Sequence, residues 1–218
     1  PPLPVPPRAR LRWADQAQTY AYTDGSHAPG GRAGAGVWLP NGLPDGRYRG
    51  ADPGAPAPPT CLHGTDDPPT ALRGLGGAWA EYTFGGVQTS IRAELVAIRE
   101  AVRLCKGDGD LVVFTDCLSA MNMLRRWWHA PNTMLTHHDR PLVASTAAAI
   151  ESRVGRVHLA KVRSHVGVPG NEAADAVAAL AASGEGAARL GDAGSVYPRG
   201  VGMATSWRNR GLGDPGRP

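Results

Sequence analysis

Thr19-Tyr-Ala-Tyr-Thr-Asp24-Gly-Ser26 is a β-branched and aromatic run that ends on a carboxylate followed by glycine. Such a run favours a strand. Gly25-Ser26 and the later Pro29-Gly30-Gly31 then supply a turn into a second apolar run, Ala33 to Leu39, so the two read as a hairpin. Side chains alternate along a strand, which puts Asp24 on the face of Tyr20 and Tyr22. An acid there is either partly buried or faces a site, and a buried acid needs a partner or a metal.

The chain has 218 residues, room for one ordinary domain with material left for tails. Its net charge of +4 and pI near 9.3 suit a polyanionic partner without establishing one. The distribution is more informative. Between Cys117 and Gly170 there are seven Arg or Lys (Arg125, Arg126, Arg140, Arg153, Arg156, Lys161, Arg163) against two acids, Asp139 and Glu151. A phosphate backbone could lie along that stretch. Cys61, Cys105 and Cys117 are odd in number and lack C-x-x-C spacing, so neither a disulfide framework nor a zinc knuckle is expected. No run of apolar residues is long enough to span a membrane. The start, PPLPVPP, is not a signal peptide and lacks Met. The expectation is therefore an intracellular piece of a longer polypeptide, nuclear or cytoplasmic, entered through a proline-rich linker.

Residues 1–18 read as that linker, without fixed structure. Residues 40–77 hold eight Pro and eight Gly, and read as a long surface insertion. Ala78 to Phe84 alternates as a third strand, giving a three-stranded antiparallel unit. Ser90 is expected to cap a helix from Ile91 to about Cys105, with an apolar stripe Ile91, Leu95, Ile98, Val102 and Cys105. Glu94 then sits beside the buried stripe. Leu111 to Thr115 is a continuous apolar run typical of a central strand, and it too finishes on an acid, Asp116. Helices are expected over Leu118 to Trp128 and Pro141 to Val154, and a last strand over Val157 to Val162. A Gly-punctuated loop from Arg163 to Gly170 follows, and Asn171 is expected to cap an alanine-rich helix to about Ala182. Residues 184–218, rich in Gly and Arg, read as a disordered tail.

Four acids occupy positions that could converge: Asp24 on a strand, Glu94 in a helix's first turn, Asp116 at a strand end, and Asp175 one turn into the last helix. Each alone has a bland account as a turn residue, a helix-terminal acid, a cap or solvated surface. Their local sequences are YTDGS (22–26), TSIRAEL (89–95), FTDCLS (114–119) and VRSHVGVPGNEAAD (162–175). Together they closely resemble the ribonuclease H type 1 family, from Thr19 to about Ala182 and interrupted only by the insertion. The form of the last motif is most similar to the ribonuclease H domain of a non-LTR retrotransposon polyprotein.

The resemblance implies an α/β, ribonuclease H-like fold spanning 19–183. Its mixed five-stranded sheet, three strands antiparallel and then parallel ones, is flanked by helices. It implies hydrolysis of the RNA strand of RNA/DNA hybrids by two Mg²⁺ ions, with Mn²⁺ as a substitute. In-line phosphodiester cleavage requires charge stabilisation at both the attacking and the departing oxygen, which two divalent ions supply. Hard oxygen ligands select such ions over zinc. By resemblance Asp24 bridges both ions, Glu94 and Asp116 hold the first and Asp175 the second. His165 assists proton movement or product release, and Glu172 supports the second ion from behind.

Gly25, Ser26, Ser90, Arg92, Ser119, Arg125, Arg126 and Asn171 are the implied contacts to the hybrid. Relatives often place Asn or Gln before the residue matching Arg92; here Ser90-Ile91 leaves hydrogen bonding to Ser90 and the main chain. Arg125, Arg126, Trp127 and Trp128 fall where many relatives carry a basic, Trp-containing protrusion that grips the DNA strand. Packing of Trp128 in the core is the competing account. His129, His137 and His138 lack a coherent i, i+4 pair and are not expected to bind metal. The implied partners are the RNA/DNA hybrid and an upstream reverse transcriptase domain in the same polypeptide, with no membrane. A catalytically silent nucleic-acid-binding module is the alternative, and an integrase-type nuclease a further one. The complete acidic set argues against the first, and the 165–175 loop against the second.

Overall fold

The computed structural model describes residues 19–43, 60–62, 72, 75–183 and 188–192. The expected linker at 1–18 lies outside the described residues, as do most of the insertion and most of the tail. Among the described residues no helix is long and apolar enough to cross a membrane.

The hairpin forms as β1 (Thr19–His27) and β2 (Ala33–Leu39), antiparallel, with Asp24 opposite Gly36. β1 runs further than expected. Asp24 is interior to the strand, because Gly25 and Ser26 continue the ladder against Ala35 and Gly34. The turn closes beyond it, where the Ala28 amide donates to the Arg32 carbonyl at 2.8 Å. A short strand β3 (Thr60–Cys61) is followed by β4 (Ala78–Gly85), which pairs antiparallel with β2. β5 (Leu111–Thr115) and β6 (Val157–Lys161) add in parallel on the other side of β1. The expected mixed five-stranded sheet is thus present in the order β4-β2-β1-β5-β6.

The segment read as a surface insertion and the one read as a disordered tail each contribute a strand. β3, inside the insertion, and β7 (Ala188–Asp192), inside the tail, both pair parallel with β4. The outer edge of β4 would otherwise present unpaired amides and carbonyls, and these segments satisfy part of it. The insertion also sends Leu72 into the protein, fully buried against a cluster with Trp38 and Trp79.

The helices are α1 (Ser90–Leu104), α2 (Leu118–His129), α3 (Arg140–Glu151) and α4 (Pro169–Ser183), with a 3-10 turn at Pro131–Met134. α1 is packed between the sheet and α3, so every residue from Arg92 to Val102 is buried, not only the apolar stripe. Buried charge requires a partner, and α1 provides several. The Arg92 guanidinium bonds Asp139 at 2.7 Å and Arg99 bonds Glu100 at 2.7 Å. Its cap is Thr89 instead of Ser90. Thr89 is extended and its hydroxyl accepts from the Arg92 amide, the usual N-cap geometry one residue earlier. Asn171 likewise does not cap α4, which already begins at Pro169.

Missing side chains set the close approaches. A Cβ on Gly25 would lie 2.4 Å from the Glu94 nitrogen, and one on Gly36 2.4 Å from the Ala174 carbonyl oxygen. Glycine therefore lets α1 and α4 rest directly on the two hairpin strands. Since Gly36 is opposite Asp24 and Ala174 precedes Asp175, the same contact delivers Asp175 toward Asp24. Gly36→Ala is expected to push α4 outward and to cost about 1–3 kcal/mol of stability, seen as a lower midpoint in urea unfolding. A midpoint equal to the parent's would contradict this packing account.

Candidate active site

Asp24 on β1, Glu94 in the second turn of α1 and Asp116 just after β5 each offer an oxygen within 4.8 Å of the others. Asp24 is 7% exposed and Glu94 5%. β1 and β5 are parallel neighbours, with Thr23 opposite Thr115, so Asp24 within β1 and Asp116 just past the end of β5 come side by side. The Gly25 contact seats α1 so that Glu94 completes the group.

Local bonds hold the three acids in place. The Gly25 amide donates to Asp24 Oδ1 at 2.8 Å. The Thr115 hydroxyl lies 3.5 Å from Glu94 Oε2 and accepts from the Cys117 amide at 3.1 Å. Cys117 caps α2 through its sulfur, which accepts from the Ala120 amide. That leaves Asp116 free of capping duty. Asn171 Nδ2 donates to Asp116 Oδ2 at 3.2 Å.

The electrostatics oppose this arrangement. Burial pushes the Asp24 carboxyl up to about 7, reinforced by the charge of Asp116. Burial and the neighbouring Asp24 push Glu94 up further still. Among the described residues none of the three forms an ion pair with Arg or Lys. A group of converging carboxylates without a counter-cation fits a hard divalent cation such as Mg²⁺ or Mn²⁺, which oxygen donors favour.

A second group adjoins it. His165, Glu172 and Asp175 also lie within 4.8 Å of one another, and the charge of Asp175 is felt at Asp24. His165 is exposed and held at φ 50°, in the left-handed region. The Gly167 amide donates to Glu172 Oε1 at 3.3 Å, folding the loop back onto α4.

The residues expected at the hybrid are distributed unevenly. Ser90, Ser119, Arg125 and Arg126 are exposed, and Gly25 and Ser26 are half-buried. Arg92 is buried and spent on Asp139, so it ties α1 to the start of α3 instead of reaching outward. Asn171 is 1% exposed. Trp127 and Trp128 pack against the core, and Trp128 Nε1 donates to Glu151 at 2.8 Å. His137 and His138 stack with centroids 4.7 Å apart beside Asp139. Asp139 is shared between Arg92 and His138, and its amide donates to His137 Nδ1.

Sequence reasoning missed Thr115 and Asp139. The first ends β5, and its contact with Glu94 is made across 21 residues of chain. The second gave no local signal, because its partner lies 47 residues away.

The raised carboxyls have a consequence for stability. Without cation, the folded chain keeps protons that the unfolded chain, with ordinary values of 3.8 and 4.5, releases. The cluster's contribution is full below about pH 4 and is lost as pH rises through 7 and beyond. The metal-free Tm is expected to fall between about pH 5 and pH 8, and added Mg²⁺ to raise it more at pH 8 than at pH 5. Thermal melts with Mg²⁺ or EDTA at each pH check this; a Mg²⁺ shift independent of pH would contradict it.

No curated protein matches this chain. The family model for RNase H matches residues 75–183, from the approach to β4 through the end of α4. That match includes Glu94, Asp116, His165 and Asp175, while Asp24 lies on the strand pair before it. Half the chain is covered, and the chain belongs to the RNase H family.

Proposed function

We propose that this chain is an endonuclease that hydrolyses the RNA strand of RNA/DNA hybrids with divalent cations held by Asp24, Glu94, Asp116 and Asp175. Family membership implies nuclease action on such hybrids. The observation that carries the finer reading is the convergence of Asp24, Glu94 and Asp116 within 4.8 Å, two of them buried and none paired with Arg or Lys among the described residues. A catalytically silent module would have no use for acids whose mutual repulsion costs stability.

Bound cations at this centre supply charge and Lewis acidity to a phosphodiester and to an attacking water. The chain's residues do the rest. Gly25 and Thr115 orient Asp24 and Glu94 through the bonds described above. Asp175, on the face of α4 nearest Asp24, extends the acidic surface to a second cation position. His165 stands exposed beside Glu172 and Asp175, placed to take or give a proton as product leaves. Ser90, exposed at the start of α1, is the side chain available to a 2′-hydroxyl. Arg125 and Arg126, exposed on α2, present charge to a phosphate backbone. The form of the 165–175 motif further supports service in reverse transcription of a retroelement, beside a polymerase domain.

Matched RNA/DNA, RNA/RNA, DNA/DNA and single-stranded RNA substrates, tested with Mg²⁺, Mn²⁺ or EDTA, decide the main reading. Cleavage of RNA is expected only in the hybrid and only with metal, and Asp24→Asn should abolish it. Undiminished cleavage by Asp24→Asn would sink the proposed centre. Changing Arg125 and Arg126 together to Ala should weaken hybrid binding and lower the slope of log affinity against log salt by about 1–2. An unchanged slope would remove these arginines from the phosphate contact.

A further inference from the structure

Asn171 is more deeply buried than either acid cluster requires, and its bonding is lopsided. It is 1% exposed. Nδ2 donates to Asp116 Oδ2 at 3.2 Å, while Oδ1 is sealed from solvent with no hydrogen-bond partner. The side chain does not serve the helix: α4 starts two residues earlier, and the amides of Asn171 and Glu172 are already taken by the Val168 carbonyl. Gly170, immediately before it, lies so close to the Tyr22 ring that a Cβ would stand 2.4 Å from it. The first turn of α4 is therefore pinned to β1, and Asn171 has little freedom to turn elsewhere.

Such a group is costly as a purely structural element, since a buried acceptor without a donor loses its hydration for nothing. Its position explains why it stays. Asp116 belongs to the group with Asp24 and Glu94, whereas Glu172 and Asp175 are carried by α4. The Asn171–Asp116 bond ties the first group to α4, the helix that carries Glu172 and Asp175. Its chemistry is also selective. An Arg or Lys at this place would neutralise Asp116 and compete with a cation, whereas a carboxamide N–H orients the carboxylate and leaves its charge intact.

We infer that Asn171 is a positioning residue that fixes the Asp116 carboxylate for cation binding and couples it to α4, which carries Glu172 and Asp175. The inference rests on the reading of the acidic group as a cation site. It replaces the roles expected from sequence, a helix cap and a contact to the hybrid.

The test is a Mg²⁺ titration of the full 218-residue chain at pH 8 without substrate, read as the rise in Tm, for the parent, Asn171→Leu and Asn171→Ser. Leucine removes both the donor and the orphaned acceptor at similar volume; serine keeps a polar group too short to reach Asp116. The metal-free Tm of Asn171→Leu is expected at or above the parent's. The half-saturating Mg²⁺ concentration should rise about tenfold in both variants. With hybrid substrate, kcat should fall at low Mg²⁺ and recover at high Mg²⁺, with KM for the hybrid unchanged. If only one variant folds, its titration decides alone. An unchanged half-saturating Mg²⁺ concentration overturns the inference, as does an effect confined to KM, which would assign Asn171 to the hybrid. A parent whose Tm ignores Mg²⁺ overturns the cation site itself, a failure that the parent titration separates from that of the Asn171 inference.

Discussion

Three carboxylates held within 4.8 Å of one another in a largely dry setting repel, and the rest of the structure is arranged to resist that repulsion. In water two unit charges a few ångströms apart interact by about 1 kcal/mol, and burial multiplies that several-fold. The raised carboxyls of Asp24 and Glu94 express the strain as a demand for protons or cations. Each acid sits on a separate rigid element, and each element is fixed by contacts remote from the site. Asp24 cannot retreat because β1 is paired on both sides, with β2 and β5. Glu94 cannot, because α1 is wedged between the sheet and α3.

The absence of side chains does as much as their presence. Gly25 brings α1 onto β1, and Gly34 and Gly36 bring α4 onto β2, with distances that no Cβ would tolerate. α4 answers with alanines, Ala174, Ala178 and Ala182, at those contacts. Small residues on both partners let helix backbone approach strand backbone closely, so α4 carries its polar face, Asn171, Glu172 and Asp175, up to the acids of the sheet. Larger residues would fill the core as well but would leave the two acidic groups further apart.

Two buried arginines near the site are held in ion pairs. Arg92 with Asp139 locks α1 to the start of α3, and Arg99 with Glu100 sits deeper along the same helix. The acidic site lacks such ion pairs among the described residues. Asp24, Glu94 and Asp116 have no cationic partner among the described residues, and Asn171 Oδ1 has no donor. Proteins accept such departures from internal consistency chiefly at functional sites.

Much of this was legible in the chain itself. Alternating and continuous apolar runs marked β1, β2, β4, β5 and β6, because a strand's side-chain period is local and needs no knowledge of its neighbours. The helical stripe of α1 and the acids at Asp24, Glu94, Asp116 and Asp175 could be placed on elements for the same reason. What escaped were features that depend on distant chain. β3 and β7 are strands only because β4 has an open edge, and nothing in Thr60–Cys61 or Ala188–Asp192 announces it. Arg92, expected at the hybrid, is internal because Asp139 at the start of α3 meets it, and Asn171 turns to Asp116, which follows β5. Local periodicity and residue chemistry determined which elements form and which acids they carry. Only the tertiary structure decided which polar groups meet, since a hydrogen bond or ion pair of a few ångströms depends on packing between segments that sequence order keeps dozens of residues apart.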